Sequence, residues 1–228
     1  MVSTRVEGPR FEAGLVRRAI AGVRVRPAVQ RRLGGVTELI ARERLLRPVG
    51  LCRTLPVSVE TPCRLVFASG QVLEGDLERL QGAREAAIVF VTLGAAWSDA
   101  VSTCFRHDEP LQGFLLDEIG TTLLERLSRR LEAMVRLSAR QRGLEAGSPV
   151  QPGQPALPLS AQPLLAETAE ASSIGIEVTA TGMLTPVKSL SMIIGLGQGM
   201  RRQTQKEACR ECPSFARCEH RRSAERCP

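Results

Sequence analysis

The chain has no tyrosine, one tryptophan (Trp97) and six phenylalanines in 228 residues. So few rings leave no recognisable platform on which nucleic-acid bases would stack. Lysine is nearly absent as well: Lys188 and Lys206 stand alone among many arginines, a bias that suits a high-GC genome. No apolar run reaches the roughly 18 residues needed to cross a bilayer. Near the N-terminus, Leu15, Val16, Ala19 and Ile20 are interrupted by Arg17 and Arg18, so no secretory signal is read there. The expectation is a cytoplasmic protein. The seven cysteines are an odd number, which argues against a disulfide scaffold in such a compartment. No internal repeat is found.

About 43% of the residues are apolar, ordinary for a globular domain. The net charge of +7 comes mainly from the two ends, for example Arg17, Arg18 and Arg24 at the front and Arg201, Arg202 and Arg210 at the back. Basic ends suit an acidic protein partner or a phosphate-bearing cofactor at least as well as nucleic acid. The organisation expected is a basic lead-in over residues 1–25, one domain over 26–200 and a cysteine-rich tail over 201–228.

Val36 to Arg47 reads as an amphipathic helix, with Val36, Leu39, Ile40 and Leu46 on one face and Pro48 and Gly50 beyond it. Pro56–Glu60 and Cys63–Ala68 read as strands, with a turn at Gly70. Asp76 is placed to cap a short helix that Gly82 ends. Ala86 to Leu93 is almost continuously apolar and too short for a buried helix, so it reads as a central strand. A long helix is predicted from Glu109 to Arg142, with Asp108 as N-cap and Pro110 in the first turn. Its stripe is Leu111, Leu115, Ile119, Leu123, Leu127, Leu131 and Met134. Gly120 interrupts that helix at a cost of about 1 kcal/mol, which points to close packing or to approach by a ligand.

Gly143 to Pro163 is rich in proline, glycine, serine and glutamine and reads as a long loop. A helix over Leu164–Ala171 follows. Ile174, Ile176 and Val178, then Leu190, Met192 and Ile194, alternate like two strands, and Thr181-Gly182 between them suggests a hairpin. Helices and strands do not alternate regularly, so the class is α+β rather than doubly wound.

Three short signatures stand out along this series. Thr92-Leu93-Gly94 ends the apolar strand, Asp117-Glu118-Ile119-Gly120 lies in the long helix, and Pro186-Val187-Lys188-Ser189 opens the last strand. Taken in order over Pro27 to Met200, they resemble the activation domain of cobalamin-dependent methionine synthase. The resemblance is closer still to the short stand-alone relatives of that domain found beside corrinoid methyltransferases. It implies a twisted antiparallel sheet with flanking helices. It implies a role in S-adenosylmethionine-dependent reductive reactivation of a cobalamin carried by a partner methyltransferase or other corrinoid protein. The family's ligand loop carries an arginine and then a Pro-Gly-Tyr segment, whereas the matching stretch here is Ser148-Pro149-Val150-Gln151-Pro152-Gly153.

The residues carried over to such a ligand are Asp117, Glu125, Arg142, Ser148, Pro149, Lys188 and Ser189. Asp117 and Glu125 either meet the ligand's amino group or stand as solvated charges beside the apolar stripe. Lys188 either pairs with a carboxylate or phosphate or protects a sheet edge. His107 reads as a surface or capping residue. An alternative to reactivation is a non-catalytic, metal-binding interaction module whose ligand site has decayed.

The tail reads Cys209-Arg210-Glu211-Cys212-Pro213, then Cys218 and Cys227. A C-x2-C pair lets two thiolates reach one metal, and two further cysteines complete a set of four, as zinc or a 4Fe-4S cluster takes. Arg217, Arg221 and Arg222 nearby favour the thiolate forms. Cys52, Cys63 and Cys104 sit in or near apolar stretches and are expected in the core.

Overall fold

The computed structural model describes residues 2–7, 27–210 and 215–217. A single antiparallel sheet organises the chain, in the order β4-β3-β2-β5-β9-β6, with β1 alongside β2. Its strands are β1 (Val2–Glu7), β2 (Val49–Thr61), β3 (Arg64–Phe67), β4 (Val72–Glu74), β5 (Glu85–Thr92), β6 (Glu145–Ala146) and β9 (Ser189–Gly197). A separate two-stranded hairpin joins β7 (Glu177–Val178) to β8 (Leu184–Thr185). The helices are α1 (Pro27–Arg42), α2 (Ala95–Arg106), α3 (Pro110–Gln141), α4 (Gln162–Ala169) and α5 (Gln205–Arg210).

Strand β5 explains the layering. Ala87, Val89 and Val91 point into a core shared with α1, α2 and α3, while Ala86, Ile88 and Phe90 point into a second core under α4. Each of the larger side chains contributes about 1.5–3 kcal/mol by burial. A strand covered on both faces has no reason to alternate, which is why the run was continuously apolar. The expected α+β class, with an antiparallel sheet and flanking helices, is what the chain forms.

Several boundaries differ from the sequence reading. The first residues are not a loose lead-in, because Val2–Glu7 pairs with β2 from Val2 opposite Thr54 to Glu7 opposite Val49. The remainder of the expected lead-in, residues 8–25, lies outside the described residues. Helix α1 starts and ends earlier than expected. Arg44 takes a left-handed conformation (φ 48°), and Leu45 N–H donates to the Ile40 carbonyl at 3.2 Å. That closes the helix with a Schellman motif well before Pro48. Asp108 does not cap the long helix: it is itself left-handed, and Glu109 takes the N-cap position ahead of Pro110. Along the stripe of α3, Leu115 to Leu131 are buried, whereas Leu111 and Met134 are exposed.

The last expected hairpin is also corrected. Ile174–Val178 does not pair with Leu190–Ile194. Glu177 pairs with Thr185 and Val178 with Leu184, while β9 lies between β5 and β6. Part of the proline-rich stretch is sheet rather than loop, since β6 and Val150 both bond to β9. Of the three cysteines expected in the core, Cys104 is buried, Cys52 is half-buried and Cys63 is exposed. Among the described residues no helix is long and apolar enough to cross a membrane.

Candidate functional site

The C-terminal end of β5 and the N-terminal end of β9 meet in register, Thr92 opposite Ser189. Ser189 Oγ donates to Thr92 Oγ1 at 2.9 Å, and Gly94 N–H donates to the same hydroxyl at 3.1 Å. One residue earlier, the Lys188 carbonyl accepts from Leu93 N–H at 3.0 Å. Successive residues of a strand face opposite ways, so Lys188 points to the helical face while Ser189 points to the α4 face. Lys188 Nζ lies 2.8 Å from Asp117 Oδ1 and donates to Thr121 Oγ1 at 2.8 Å, both on α3. The three signatures of the sequence therefore meet in space. Lys188 opens an interior strand and pins it to α3; it is not the guard of a sheet edge. With Asp117 43% exposed, solvent screens the pair and its contribution is about 0.2–1 kcal/mol.

The other carried-over residues lie elsewhere. Glu125 sits two turns beyond Asp117, about 12 Å along the helix, and its exposed carboxylate is 3.7 Å from Arg129. Arg142 ends α3 and pairs with Glu85 at 2.7 Å. Glu85 is the first residue of β5, so this pair stands at the opposite end of the strand from Thr92, about 20 Å away at 3.3 Å per residue. Ser148 is buried and turned away from the sheet end, its Oγ accepting from Gln203 N–H at 2.7 Å. Pro149 precedes Val150, whose N–H and carbonyl both pair with Ile193 at 2.9 Å.

Beside Ser189, on the α4 face, the structure opens a cleft of about 230 Å³. Gln151 and Pro152 form one wall, Leu159 and Gln162 the base of α4, Gly182 to Leu184 and Val187 the opposite wall, and Ser189 to Ser191 the floor. The loop that the sequence reading matched to a ligand loop thus borders a cleft through Gln151 and Pro152 rather than through Ser148. Gly182 approaches Leu159 closely. Its φ is +84°, and a Cβ there would lie 3.2 Å from the Leu159 carbonyl oxygen. Two residues of this cleft, Gln162 and Ser191, are not among those carried over to a ligand from the sequence. Gln162 Nε2 donates to Ser191 Oγ at 2.8 Å, and Ser191 Oγ donates back to Gln162 Oε1 at 3.0 Å, both side chains being buried.

A second, more apolar cavity of about 170 Å³ lies between β1, β2 and the end of α3, with Cys52, Leu131 and Val135 in its lining. Burial raises the Cys52 thiol pKa above its ordinary value, against a hydrogen bond with Thr54.

The C-terminal segment is fastened to the domain. Glu132 on α3 accepts from Arg136 at 2.9 Å and from Arg202 at 3.1 Å. Thr204 and Glu207 close a capping box over α5: Thr204 N–H donates to Glu207 Oε2 at 2.7 Å, and Glu207 N–H to Thr204 Oγ1 at 3.3 Å. Arg201 adds an ion pair to Glu207. The Thr204 backbone and side-chain hydrogen bonds, with a smaller part from Arg201, lower the Glu207 pKa. A carboxyl held low in the folded state adds stability above its unfolded pKa and loses it as pH falls through the folded value. Amide-exchange protection in α5 is therefore expected to be greatest above the ordinary glutamate pKa of about 4.3 and to weaken progressively as pH falls below it, in metal-free protein. Unchanged protection in acid would refute the cap. Cys209 lies on α5; Cys212, Cys218 and Cys227 lie outside the described residues. Among the described residues no group of three or more metal-ligating side chains is found. His107 caps the end of α2 and is exposed, as expected.

No protein-family model and no curated protein matches the chain. Among solved structures it is similar to the MetH reactivation domain bound to AdoHcy, with a TM-score of 0.62 and 13% identity. The match covers 86% of this chain and 78% of that one. The chain therefore has the fold of that reactivation domain.

Proposed function

We propose that the chain is a reactivation module in the cytoplasm. In this reading it binds an S-adenosylmethionine-type nucleoside and supports reductive methylation of a corrinoid carried by a partner methyltransferase. The nucleoside supplies the methyl group and the partner's cobalamin accepts it. This chain's residues bind and orient. The observation that carries the reading is the cleft between Gln151–Pro152 and the Gly182–Val187 hairpin, in a fold shared with a domain crystallised with AdoHcy. The apolar side chains of Pro152, Leu159, Met183, Leu184 and Val187 around the cleft suit the rings of an adenosine. Asp117, Lys188 and Thr121 support the same sheet end from the opposite face.

Calorimetric titration with S-adenosylmethionine and with S-adenosylhomocysteine is expected to give micromolar affinity, about −8 kcal/mol. Silence toward both would remove the ligand from the reading. The activity follows from adding the chain, S-adenosylmethionine and a one-electron reductant to a corrinoid methyltransferase inactivated by oxidation of its cob(I)alamin to cob(II)alamin: turnover should return only when all three are present.

We also propose that Cys209, Cys212, Cys218 and Cys227 form the ligand set of a zinc ion or a 4Fe-4S cluster. Four thiolates are a complete set for either, and a cluster would bring an electron to the reaction.

A non-catalytic interaction module is the second reading. Phe105 and Phe114 favour it: both rings are exposed and packed edge to face, centroids 5.2 Å apart, an apolar pair left open for a partner to cover. It predicts a partner complex that forms without any nucleoside.

A further inference from the structure

We infer that the cavity between β1, β2 and the end of α3 is a second small-molecule site, on the opposite face of the sheet from the cleft, and that it takes a compact monocarboxylate whose apolar body is a single ring or a short branched chain. The inference does not depend on the nucleoside reading.

The cavity forms where α3 leaves the sheet. Gly50 lets the helix down onto β2, since a Cβ there would fall 2.5 Å from Leu131 Cδ1. Alternate residues of a strand share a face, so Cys52 and Thr54 follow Gly50 beneath the helix. Thr4 of β1 stands beside Cys52 in register. These three side chains are short, and the helix passes over them with Val135 and Ser138. The space left between the two layers is about 170 Å³. An apolar cavity of about 150 Å³ is enough to hold benzene. Leu131, Val135 and Leu196 are buried and form its inner wall. Cys52 adds a neutral thiol to that wall, because burial raises its pKa.

The lining residues that are exposed, among them Thr4, Ser138 and Arg142, mark the mouth. Arg142 Nη1 donates to Glu85 at 2.7 Å, which fixes the guanidinium in place. A guanidinium carries five N–H groups in a planar fork that matches a carboxylate. One bond to Glu85 leaves that fork able to take a second carboxylate, and the Thr4 and Ser138 hydroxyls stand at the same rim. Hydrocarbon inside and an anion at the mouth are the two ends of one small molecule.

Cys52 reports occupancy. The reduced full chain is alkylated with iodoacetamide in the presence of benzoate, benzyl alcohol or acetate, and peptide mass mapping compares Cys52 with the exposed Cys63. Benzoate is expected to slow Cys52 about tenfold, with half of the effect near about 1 mM, and to leave Cys63 unchanged. Benzyl alcohol, the same ring without the charge, should need about tenfold more. Acetate, the head without the body, should have no effect. Arg142→Gln should reduce benzoate to the level of benzyl alcohol, with a thermal melt confirming the fold. Glu85→Gln removes a like charge from beside the ligand and should tighten benzoate about threefold while leaving benzyl alcohol unchanged. Benzyl alcohol equal to benzoate in the unmodified chain would overturn the carboxylate assignment. No slowing of Cys52 by any probe would overturn the site. The cavity would then be closed in solution or filled by the chain itself, residues 8–26 after β1 lying outside the described residues.

Discussion

Gly120→Ala is expected to destabilise the protein by about 2 kcal/mol, although alanine is the better helix former by about 1 kcal/mol. The reason is Trp97. A Cβ built on Gly120 falls 2.4 Å from Trp97 Nε1 and 3.0 Å from its Cε2. The indole has nowhere to go. It is fully buried, and its N–H donates to the Leu116 carbonyl at 3.2 Å, one turn before Gly120 on the same helix. Either α2 and α3 separate or the ring leaves its hydrogen bond, and overpacking of this kind typically costs about 1–3 kcal/mol. For a chain of this length the melting temperature should fall by about 4–8 °C. Trp97→Phe removes the atoms nearest to the added methyl. The double substitution should therefore be less damaging than the sum of the two single ones, with a coupling of about 1 kcal/mol or more. Chemical denaturation followed by circular dichroism measures all three variants. A stabilised Gly120→Ala would mean that helix propensity outweighs contact, and that α2 packs less closely than described. The glycine thus marks helix packing, one of the two meanings that its position in the sequence allowed.

What the sequence reveals follows the physics of burial. The long helix is legible because one face repeats over many turns, and β5 because both of its faces are buried. Strand β2 is legible only in its second half. Its first half includes Arg53 and Thr54, and Pro56 sits where the strand exchanges neighbours: β1 and β5 before it, β3 after it. A proline is tolerated at such a junction but reads as a break. Helix α2 is hidden for the opposite reason. Only Trp97 and Cys104 along it are buried, so it carries no stripe. Pairing is the least legible property. Alternation tells a strand from a helix without naming its partner. The run Ile174–Val178 therefore suggests β9 as its neighbour, when the neighbour is β8.

The candidate site divides along the same line. Asp117 and Lys188 meet because each belongs to a short signature, and Ser189 follows Lys188 in the same one. Gln162 and Ser191 are not among the residues carried over to a ligand. They become a site only when α4 packs across the start of β9. Arg142, at the end of the long helix, and Ser148, in the loop after it, are matched to a ligand by sequence order alone, and order does not fix direction: Arg142 is held at the far end of β5, and Ser148 faces the C-terminal segment.

That segment carries the second large effect. Anaerobically purified protein is expected to hold close to one zinc ion or one 4Fe-4S cluster per chain, and Cys209→Ser with Cys212→Ser to reduce that content to background. Four thiolates bind zinc with an apparent free energy of about 10–16 kcal/mol at neutral pH, so losing two of four removes the site rather than weakening it. Binding requires deprotonated thiols, so metal retention should fail as the solution is acidified. Chelation should have a local effect. Glu132 with Arg202 and Ser148 with Gln203 attach the segment, and the Thr204–Glu207 box orders its helix, through contacts that involve no cysteine. The melting transition followed by the fluorescence of Trp97, in the helical core, should then move by no more than about 2–4 °C, the shift of a 1 kcal/mol change. A collapse of that core on chelation would make the metal a structural keystone of the whole domain instead of a local fitting. Neither metal in any preparation would leave the cysteines as free thiols and return the source of the reducing electron to the partner. Iron and sulfide in equal amounts would place that electron on this chain, at a segment bonded to Ser148, three residues before Gln151 at the wall of the cleft.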